Sequence, residues 1–581
     1  MFRTLPRSPA GRMPALPVKI SPMKRKLNQI KIAGFLAFAI VFFGFNFGIS
    51  VTAQSVKNQQ VVTKPTPTPK PTVTPTPNPT PTATPTPVPI QTITDLQSQI
   101  RLSLARPELQ RGQVGVKIAA LDTGKTIFEQ NAEKYFMPAS NMKSFTVAAA
   151  LEKLSPDFHF VTNVYAPAMP DANGTIRGDL TIYGRGDVSF SAAFNDGDYY
   201  KGLDALAEKI VQAGVKRIEG NLVGDESYFT GNPIPPGWEW DDLQWYYGAE
   251  ISALGVNDNS VDLTVRASSV NAPCVVQILP INAVVKIVNR CTTSASGTKR
   301  DIQVVKKLNQ NILEITGTMP SDDKNFTGYI AVSHPAELFI EMLRGLLMKK
   351  GVVITGQNKI VNAKDKAVSV VASSVAPVEI TKLESPPLSI IAAKTMKPSQ
   401  NLYTETILWT LGQNSGTIPY KIFDSAEQNP LTNPKLTSAE RGLFVVRNFL
   451  NEIGIPSDSV IQSDGSGLSR HNLITPGSAV ALYSYMAKRS RYVNAWREAL
   501  TIGGVDGTLK NRFIGTSAAG NVRGKTGTID QVSALSGYVN TASGERLVFS
   551  IIVNGVNTAK IRQTTIDEIV VALAKFNGKT N

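Results

Sequence analysis

The run from Lys64 to Pro89, "KPTPTPKPTVTPTPNPTPTATPTPVP", is dominated by proline and threonine and cannot build a core. Such a segment lies in polyproline II at about 3.1 Å per residue, here roughly 80 Å in all. Residues 54–91 therefore read as a passive linker, in which threonine glycosylation has no other support. Everything that folds must come from the two flanks, and only the C-terminal one is long enough. Its roughly 490 residues exceed one typical core, so two or more domains are expected.

The N-terminal flank is short and basic. Eleven Lys or Arg residues and no Asp or Glu precede residue 90, in a chain of 581 residues with a net charge of +15. The remainder is nearly balanced, which removes the nucleic-acid reading that the total charge invites. Lys24, Arg25, Lys26 and Lys31 precede the apolar run Ile32 to Val51, and "VTA" before Gln54 has the small residues of a signal-peptidase site. Roughly 20 apolar residues suffice to span a bilayer. Residues 1–53 are thus expected to be a cleaved signal peptide or a retained N-terminal membrane anchor, with the basic flank cytoplasmic and the rest exported. The expected place is the periplasm or cell envelope, with 32–51 as an inner-membrane tether in the second case. Met23 is a candidate start, which would make the first 22 residues an upstream extension.

Cys274 and Cys291 are the only cysteines, and a bond between them would close a loop of about 17 residues, contributing about 3 kcal/mol. Two buried thiols fit the sequence equally well. Three histidines and no H-E-x-x-H argue against zinc, and no cofactor motif is present.

Hydrophobic periodicity changes along the chain. "GTIRGDLTIYG", "SVDLTVRASS", "VVQILPINAVVKIV" and "DIQVVKKLNQNILEITG" alternate at period two, which makes 172–368 β-rich, with helices at 202–213 and 335–350 stopped by Gly214 and Gly351. Arg185-Gly186-Asp187 reads as a turn between strands and not as an adhesion motif. Helical periodicity returns in "QNLYTETILWTLG", "AERGLFVVRNFLNEIG" and "TPGSAVALYSYMAKRS", the last with a Thr475 cap and Pro476 at its first position. "KTGTID", "VSALSGYVN" and "RLVFSIIVNGV" then read as antiparallel strands ahead of the helix "TTIDEIVVALAKF". The helix near Ser140 is expected to belong with this C-terminal half, so that 92–171 and 369–581 form one domain interrupted by 172–368.

In "MPASNMKSFTVAAALEKL", Ser140 and Lys143 stand three apart at the mouth of an apolar helix. Most such pairs are a capping serine and a solvated lysine, and about two or three S-x-x-K matches are expected by chance. Here the two residues share a helical face, and burial of the helix would desolvate the amine, lower its pKa and fit it to act as a base toward the serine. "RGKTGTID" near Lys525 approximates a phosphate-binding loop, but Ala519 stands where its first glycine should, and strands follow where a helix is required. An edge strand presenting Lys525 and Thr528 to a cleft fits better. In "KPSQNLYTE", Ser399 and Asn401 can point into one site, although a helix cap explains either alone. The order S-x-x-K, S-x-N, K-T-G is the set used by penicillin-binding proteins and serine β-lactamases.

On these motifs, and on "GDLTIYGRGDVSF", "PPGWEWDDLQWYYGAEISAL", "SDGSGLSRHNLITP" and "GGVDGTLKNRF", the chain from about 92 onward resembles the penicillin-binding protein 4 type of D-Ala-D-Ala carboxypeptidase/endopeptidase, low-molecular-mass class C, peptidase family S13. Its middle motif, S-Q-N, departs from the commoner S-D-N or S-N-N. The resemblance implies an α+β fold: a serine β-lactamase/transpeptidase-like domain, an antiparallel sheet flanked by helices, carrying a large β-rich insertion. It also implies peptidoglycan peptides as substrate and β-lactam antibiotics as acylating ligands. Ser140 would be the nucleophile, with Lys143 as base. An oxyanion hole would come from the N–H groups of Ser140 and Thr528, and Ser399 would relay the proton to the leaving amine. Asn401 would hold the substrate amide, while Lys525, Thr526, Gly527 and Thr528 would bind the terminal carboxylate against the strand. Asp242, Tyr247 and Arg470 would form a pocket for the stem's diamino acid, although a structural turn and an ion pair account equally for Asp242 and Arg470. Two further functions stay open. A class A β-lactamase would need an E-x-x-L-N loop, which is absent, and a retired wall-binding scaffold would have lost Ser140, Lys143 or Lys525, all of which stand.

Overall fold

A computed structural model describes residues 90–369, 376–417 and 435–580. The expected signal or anchor at 1–53 and nearly all of the 54–91 linker lie outside the described residues. Among the described residues no helix is long and apolar enough to cross a membrane.

A six-stranded antiparallel sheet takes strands from both ends of the chain. Its order is Thr501–Ile502, Arg523–Ile529, Val532–Asn540, Arg546–Asn554, Gln113–Ala120, Thr126–Gln130. Both faces are covered, so its strands carry apolar residues at successive positions where a half-exposed strand would alternate. In Arg546–Asn554, Val548 and Ile552 face the helical layer that holds Met142–Leu154, whereas Phe549, Ile551 and Val553 join the core under helices Ile93–Leu104 and Ala559–Lys575. Within Met142–Leu154 the first ten residues are all buried, Lys143, Ser144 and Thr146 among them, so the helix is enclosed on every side. It packs on helices Leu388–Met396, Asn401–Gln413 and Ser438–Glu452.

The β-rich part has its own core. A five-stranded mixed sheet runs Asn358–Val361, Leu222–Asp225, Leu180–Tyr183, Val161–Ala166, Val378–Glu384. This sheet starts before 172 and ends after 368, because Val161–Ala166 and Val378–Glu384 pair with one another. Three three-stranded sheets complete the region, and a disulfide joins two buried cysteines, Cys274 just before strand Val275–Leu279 and Cys291 in strand Lys286–Ser294. "GTIRGDLTIYG" is two short strands in different sheets, Thr175–Ile176 and Leu180–Tyr183, and "DIQVVKKLNQNILEITG" is a hairpin of Asp301–Lys306 and Ile312–Pro320. Asp187 of the Arg-Gly-Asp tripeptide is buried and caps a short turn through the Ser189 N–H at 2.8 Å, as a turn element does.

Candidate active site

Ser140 sits half-exposed in a short turn, Ala139–Asn141, on the floor of a cleft of about 830 Å³. Two glycines clamp that turn. A Cβ on Gly527 of the Arg523–Ile529 strand would lie 2.3 Å from the Pro138 carbonyl oxygen. One on Gly467 would lie 1.9 Å from the Ala139 carbonyl, and Gly467 holds φ +82°, which favours glycine. Gly527 therefore sets the distance between strand and nucleophile and does not itself line the cleft, unlike Thr526 and Thr528.

Lys143 is fully buried one turn below, its Nζ 3.0 Å from Ser140 Oγ. The same nitrogen donates to Asn401 Oδ1 at 2.5 Å and to the Ser466 carbonyl at 2.7 Å. Asn401 Nδ2 in turn donates to the Tyr247 carbonyl at 2.8 Å, which fixes the amide with its oxygen toward the lysine. A neutral amine has two N–H groups and one lone pair. With both donors taken, the lone pair is left for Ser140. Burial pushes the amine down to about 7, while Asp464 and Glu405 pull it back up. Lys525 does not add to this depression; the repulsion between the two lysines adds instead to the burial that holds Lys525 well below its usual range.

Ser399, at φ +68° between helices Leu388–Met396 and Asn401–Gln413, accepts a hydrogen bond from Lys525 Nζ at 2.8 Å. Its neighbour Gln400 caps the second helix, accepting from the Leu402 N–H at 3.3 Å, while its amide nitrogen turns away to Asp258 Oδ2 at 3.2 Å. Thr526 Oγ1 donates to Thr508 Oγ1 at 2.7 Å. The Thr508 loop is tied to the Ser399 loop through the Thr508 N–H to the Lys397 carbonyl at 3.0 Å and an ion pair of Lys397 with Asp506 at 2.5 Å.

Asp242, Tyr247 and Arg470 line the same cleft. The Tyr247 hydroxyl lies beside Asp242, and burial raises both groups' pKa values. Arg470 pairs with Glu239, three residues before Asp242, at 2.7 Å and donates to the Asp530 carbonyl at 3.1 Å, so it ties the Asp242 loop to the end of the Arg523–Ile529 strand without bonding Asp242 itself. The loop bearing Asp242 is held to the β-rich part by the Ala331 N–H, which donates to the Gln244 carbonyl at 3.0 Å.

The sequence reading did not single out Glu405 or Asp464. Glu405, one turn after Asn401, is fully buried and accepts from the N–H groups of Gly465 at 3.0 Å and Ser466 at 2.7 Å. Asp464 accepts from the N–H groups of Gly467 and Ser469, both at 2.7 Å, from Asn472 at 2.8 Å and from Trp238 at 2.9 Å. Together they shape the loop whose Ser466 carbonyl orients Lys143. The helix period puts Asn401 and Glu405 on one face, and that was the available signal. Among the described residues no cluster of His, Cys, Asp and Glu has the geometry of a metal site.

Residues 96–576 match the D-Ala-D-Ala carboxypeptidase 3 (S13) family. A D-alanyl-D-alanine carboxypeptidase of Actinomadura sp. (strain R39) is 30% identical over 498 residues, covering 84% of this chain and 86% of that protein. The D-alanyl-D-alanine carboxypeptidase DacB of Haemophilus influenzae is 25% identical over 472 residues, 81% of this chain and 91% of its own. The crystal structure of penicillin binding protein 4 from Haemophilus influenzae superposes with a TM-score of 0.67 at 24% identity, over 83% of this chain and 98% of that one, and so shares the fold.

Proposed function

The chain belongs to the D-Ala-D-Ala carboxypeptidase (S13) family, and from that membership we propose that it cleaves the terminal D-Ala-D-Ala bond of peptidoglycan stem peptides through an acyl-enzyme on Ser140. The observation that carries the reading is the Ser140–Lys143–Asn401 chain of contacts at 3.0 and 2.5 Å, facing the Lys525–Ser399 pair across one cleft.

Lys143 takes the Ser140 proton as Oγ attacks the carbonyl between the two D-alanines. The N–H groups of Ser140 and Thr528 hold the developing oxyanion. As the tetrahedral intermediate collapses, the proton held by Lys143 passes through the Ser399 hydroxyl, which takes one proton as it gives another to the leaving D-alanine amine. The neutral Lys143 then takes a proton from the water that attacks the ester and returns it to Ser140 Oγ as the acyl group leaves. Lys525 meets the terminal carboxylate as a point charge beside the hydroxyls of Thr526 and Thr528. An arriving carboxylate offsets the burial that disfavours its charge, and a charged Lys525 in turn favours neutral Lys143. Asp242, Tyr247 and Arg470 receive the diamino acid side chain. β-Lactams, which present a reactive amide beside a carboxylate, acylate the same serine. The protein works in the cell envelope, delivered or tethered by 32–51. In the domain division that goes with this reading, the flanks on either side of 161–384 hold the chemistry and the β-rich part between them shapes substrate choice.

Mass spectrometry of the intact protein with a fluorescent penicillin tests the reading, followed by digestion of defined stem pentapeptides. One adduct on Ser140, lost in Ser140→Ala, is expected. Labelling that survives this substitution, or an adduct on Ser399, overturns it.

A further inference from the structure

A second groove of about 590 Å³ adjoins the active-site cleft, and Tyr246 and Pro398 line both. It runs between the β-rich part and the helix Leu388–Met396, and none of the roles assigned above uses it. Three tyrosines step from one cavity into the other. Tyr247, which lies beside Asp242, meets Tyr246 edge-to-face at 5.7 Å, and Tyr246 meets Tyr329 the same way at 5.7 Å. Tyr329 is 54% exposed and Tyr246 37%, and both line the groove.

Around the rings stand groups that exchange hydrogen bonds with hydroxyls and amides. Asp262 accepts from the Tyr199 hydroxyl at 2.5 Å through one oxygen. Lys394 donates to the Ala193 carbonyl at 2.8 Å through one of its three N–H groups. Gln400, the residue by which the middle motif departs from the commoner S-D-N or S-N-N, lines this groove and not the catalytic cleft. Flat aromatic faces beside mixed neutral and charged hydrogen-bonding groups suit a ligand with apolar C–H faces and equatorial polar substituents, that is, a pyranose.

Resting on the function proposed above, we infer that this groove binds the N-acetylhexosamine chain to which the stem peptide is attached, so that sugar and peptide are held together. Two residues, one of them linked through its side-chain carboxyl, and a lactyl ether separate the diamino acid from the sugar ring, roughly 11 Å of extended chain. The tyrosine ladder leaves the diamino acid pocket at Tyr247 and enters the groove at Tyr329, over two ring-to-ring steps.

Hydrolysis of a disaccharide-linked pentapeptide and of the free pentapeptide is compared for the wild type, Tyr329→Ala and Tyr329→Phe. In the wild type the sugar should raise kcat/KM roughly three- to tenfold. Tyr329→Ala should abolish that gain while free-peptide hydrolysis and penicillin labelling of Ser140 stay unchanged, and Tyr329→Phe should keep it. The exposure of Tyr329 makes the alanine variant compatible with folding. Titration of a peptide-free N-acetylhexosamine tetramer into Ser140→Ala, with and without Tyr329→Ala, reads the groove without any turnover. Wild-type hydrolysis indifferent to sugar, a gain that survives Tyr329→Ala, or a gain given equally by a sugar-free cross-linked peptide overturns the proposal, as does tetramer binding indifferent to Tyr329. Loss of free-peptide hydrolysis and of Ser140 labelling in the wild type would instead remove the carboxypeptidase reading, and the tetramer titration would still decide the groove.

Discussion

Glu405 and Lys143 grip opposite ends of one peptide unit pair: the carboxylate accepts the Ser466 N–H at 2.7 Å, and the lysine donates to the Ser466 carbonyl oxygen at 2.7 Å. Glu405 thus reaches the base through a backbone hinge as well as through space, where its charge pulls the lysine pKa up. Burial and the neighbouring Asp464 raise the pKa of Glu405 itself.

Glu405→Gln separates these two influences. Glu405 is itself pushed up to about 8, so its carboxyl is largely neutral where Lys143 titrates, and its removal should move the pH midpoint of acylation down only slightly. Because the glutamine NH₂ would face a backbone N–H that needs an acceptor, the Ser466 loop should shift and the plateau rate fall, by about tenfold for a lost buried hydrogen bond. Stopped-flow acylation by a chromogenic cephalosporin between pH 5 and 10 reads both parameters. An unchanged midpoint with a normal plateau would show that Glu405 has no hold on the base.

Acylation by the wild type should rise with pH through about 7 and then level off, because Lys143 is pushed down to about 7 and acts only when neutral. Lys143→Arg keeps a positive charge but cannot release a proton in this range, so the rate should drop by about 10² to 10⁴. Lys525→Arg keeps charge and donors where charge is what the carboxylate needs, and should be milder by about an order of magnitude. Equal losses in the two variants would make Lys143 an electrostatic neighbour and send the proton through Ser399.

For Asp242→Ala the expected loss is selective. The aspartate lies beside Tyr247 and outside the Ser140–Lys143–Asn401 chain of contacts. Hydrolysis of a diamino-acid peptide should slow at least about tenfold, the value of one charged hydrogen bond, while penicillin acylation changes little. Parallel losses for both ligands would place Asp242 in the acylation machinery.

Gly527→Ala should damage both fold and chemistry. The new methyl carbon would meet the Pro138 carbonyl at 2.3 Å, a backbone atom that cannot swing aside. Overpacking of this kind costs about 1–3 kcal/mol, so the melting temperature should fall and Ser140 labelling should slow. A variant with wild-type melting and labelling would mean that the strand and the Ser140 turn slide apart freely.

The three motifs were legible because their chemistry is local: Ser140 and Lys143 share a helical face, and Ser399 and Asn401 lie two apart. Strands of the C-terminal hairpins were legible from their apolar runs and the turns between them. The brace around Lys143 was not, because Glu405 finds Gly465 and Ser466 sixty residues away and nothing in "LYTETILWTL" marks its carboxylate as buried. "QVGVKIAA", Gln113–Ala120, carries no turn signal strong enough to declare a strand, yet it sits inside the main sheet. Period-two reading ran through Gly178, whose φ of +124° breaks one expected strand into two. The cysteine spacing allowed either bond or thiols, and only the pairing of the surrounding segments brings Cys274 and Cys291 together.

The sheet drawn from both ends of the chain also sets a timetable. Gln113–Ala120 pairs along its whole length with Arg546–Asn554, a partner synthesised some tens of seconds later at about 5–20 residues per second. Until then the early strand is an uncovered edge, whereas the 161–384 sheet already has all its members. Lys525 arrives on the same late hairpins that close the sheet. The nucleophile is thus made early and armed last, and a nascent or prematurely terminated chain carries a serine with no carboxylate clamp opposite it.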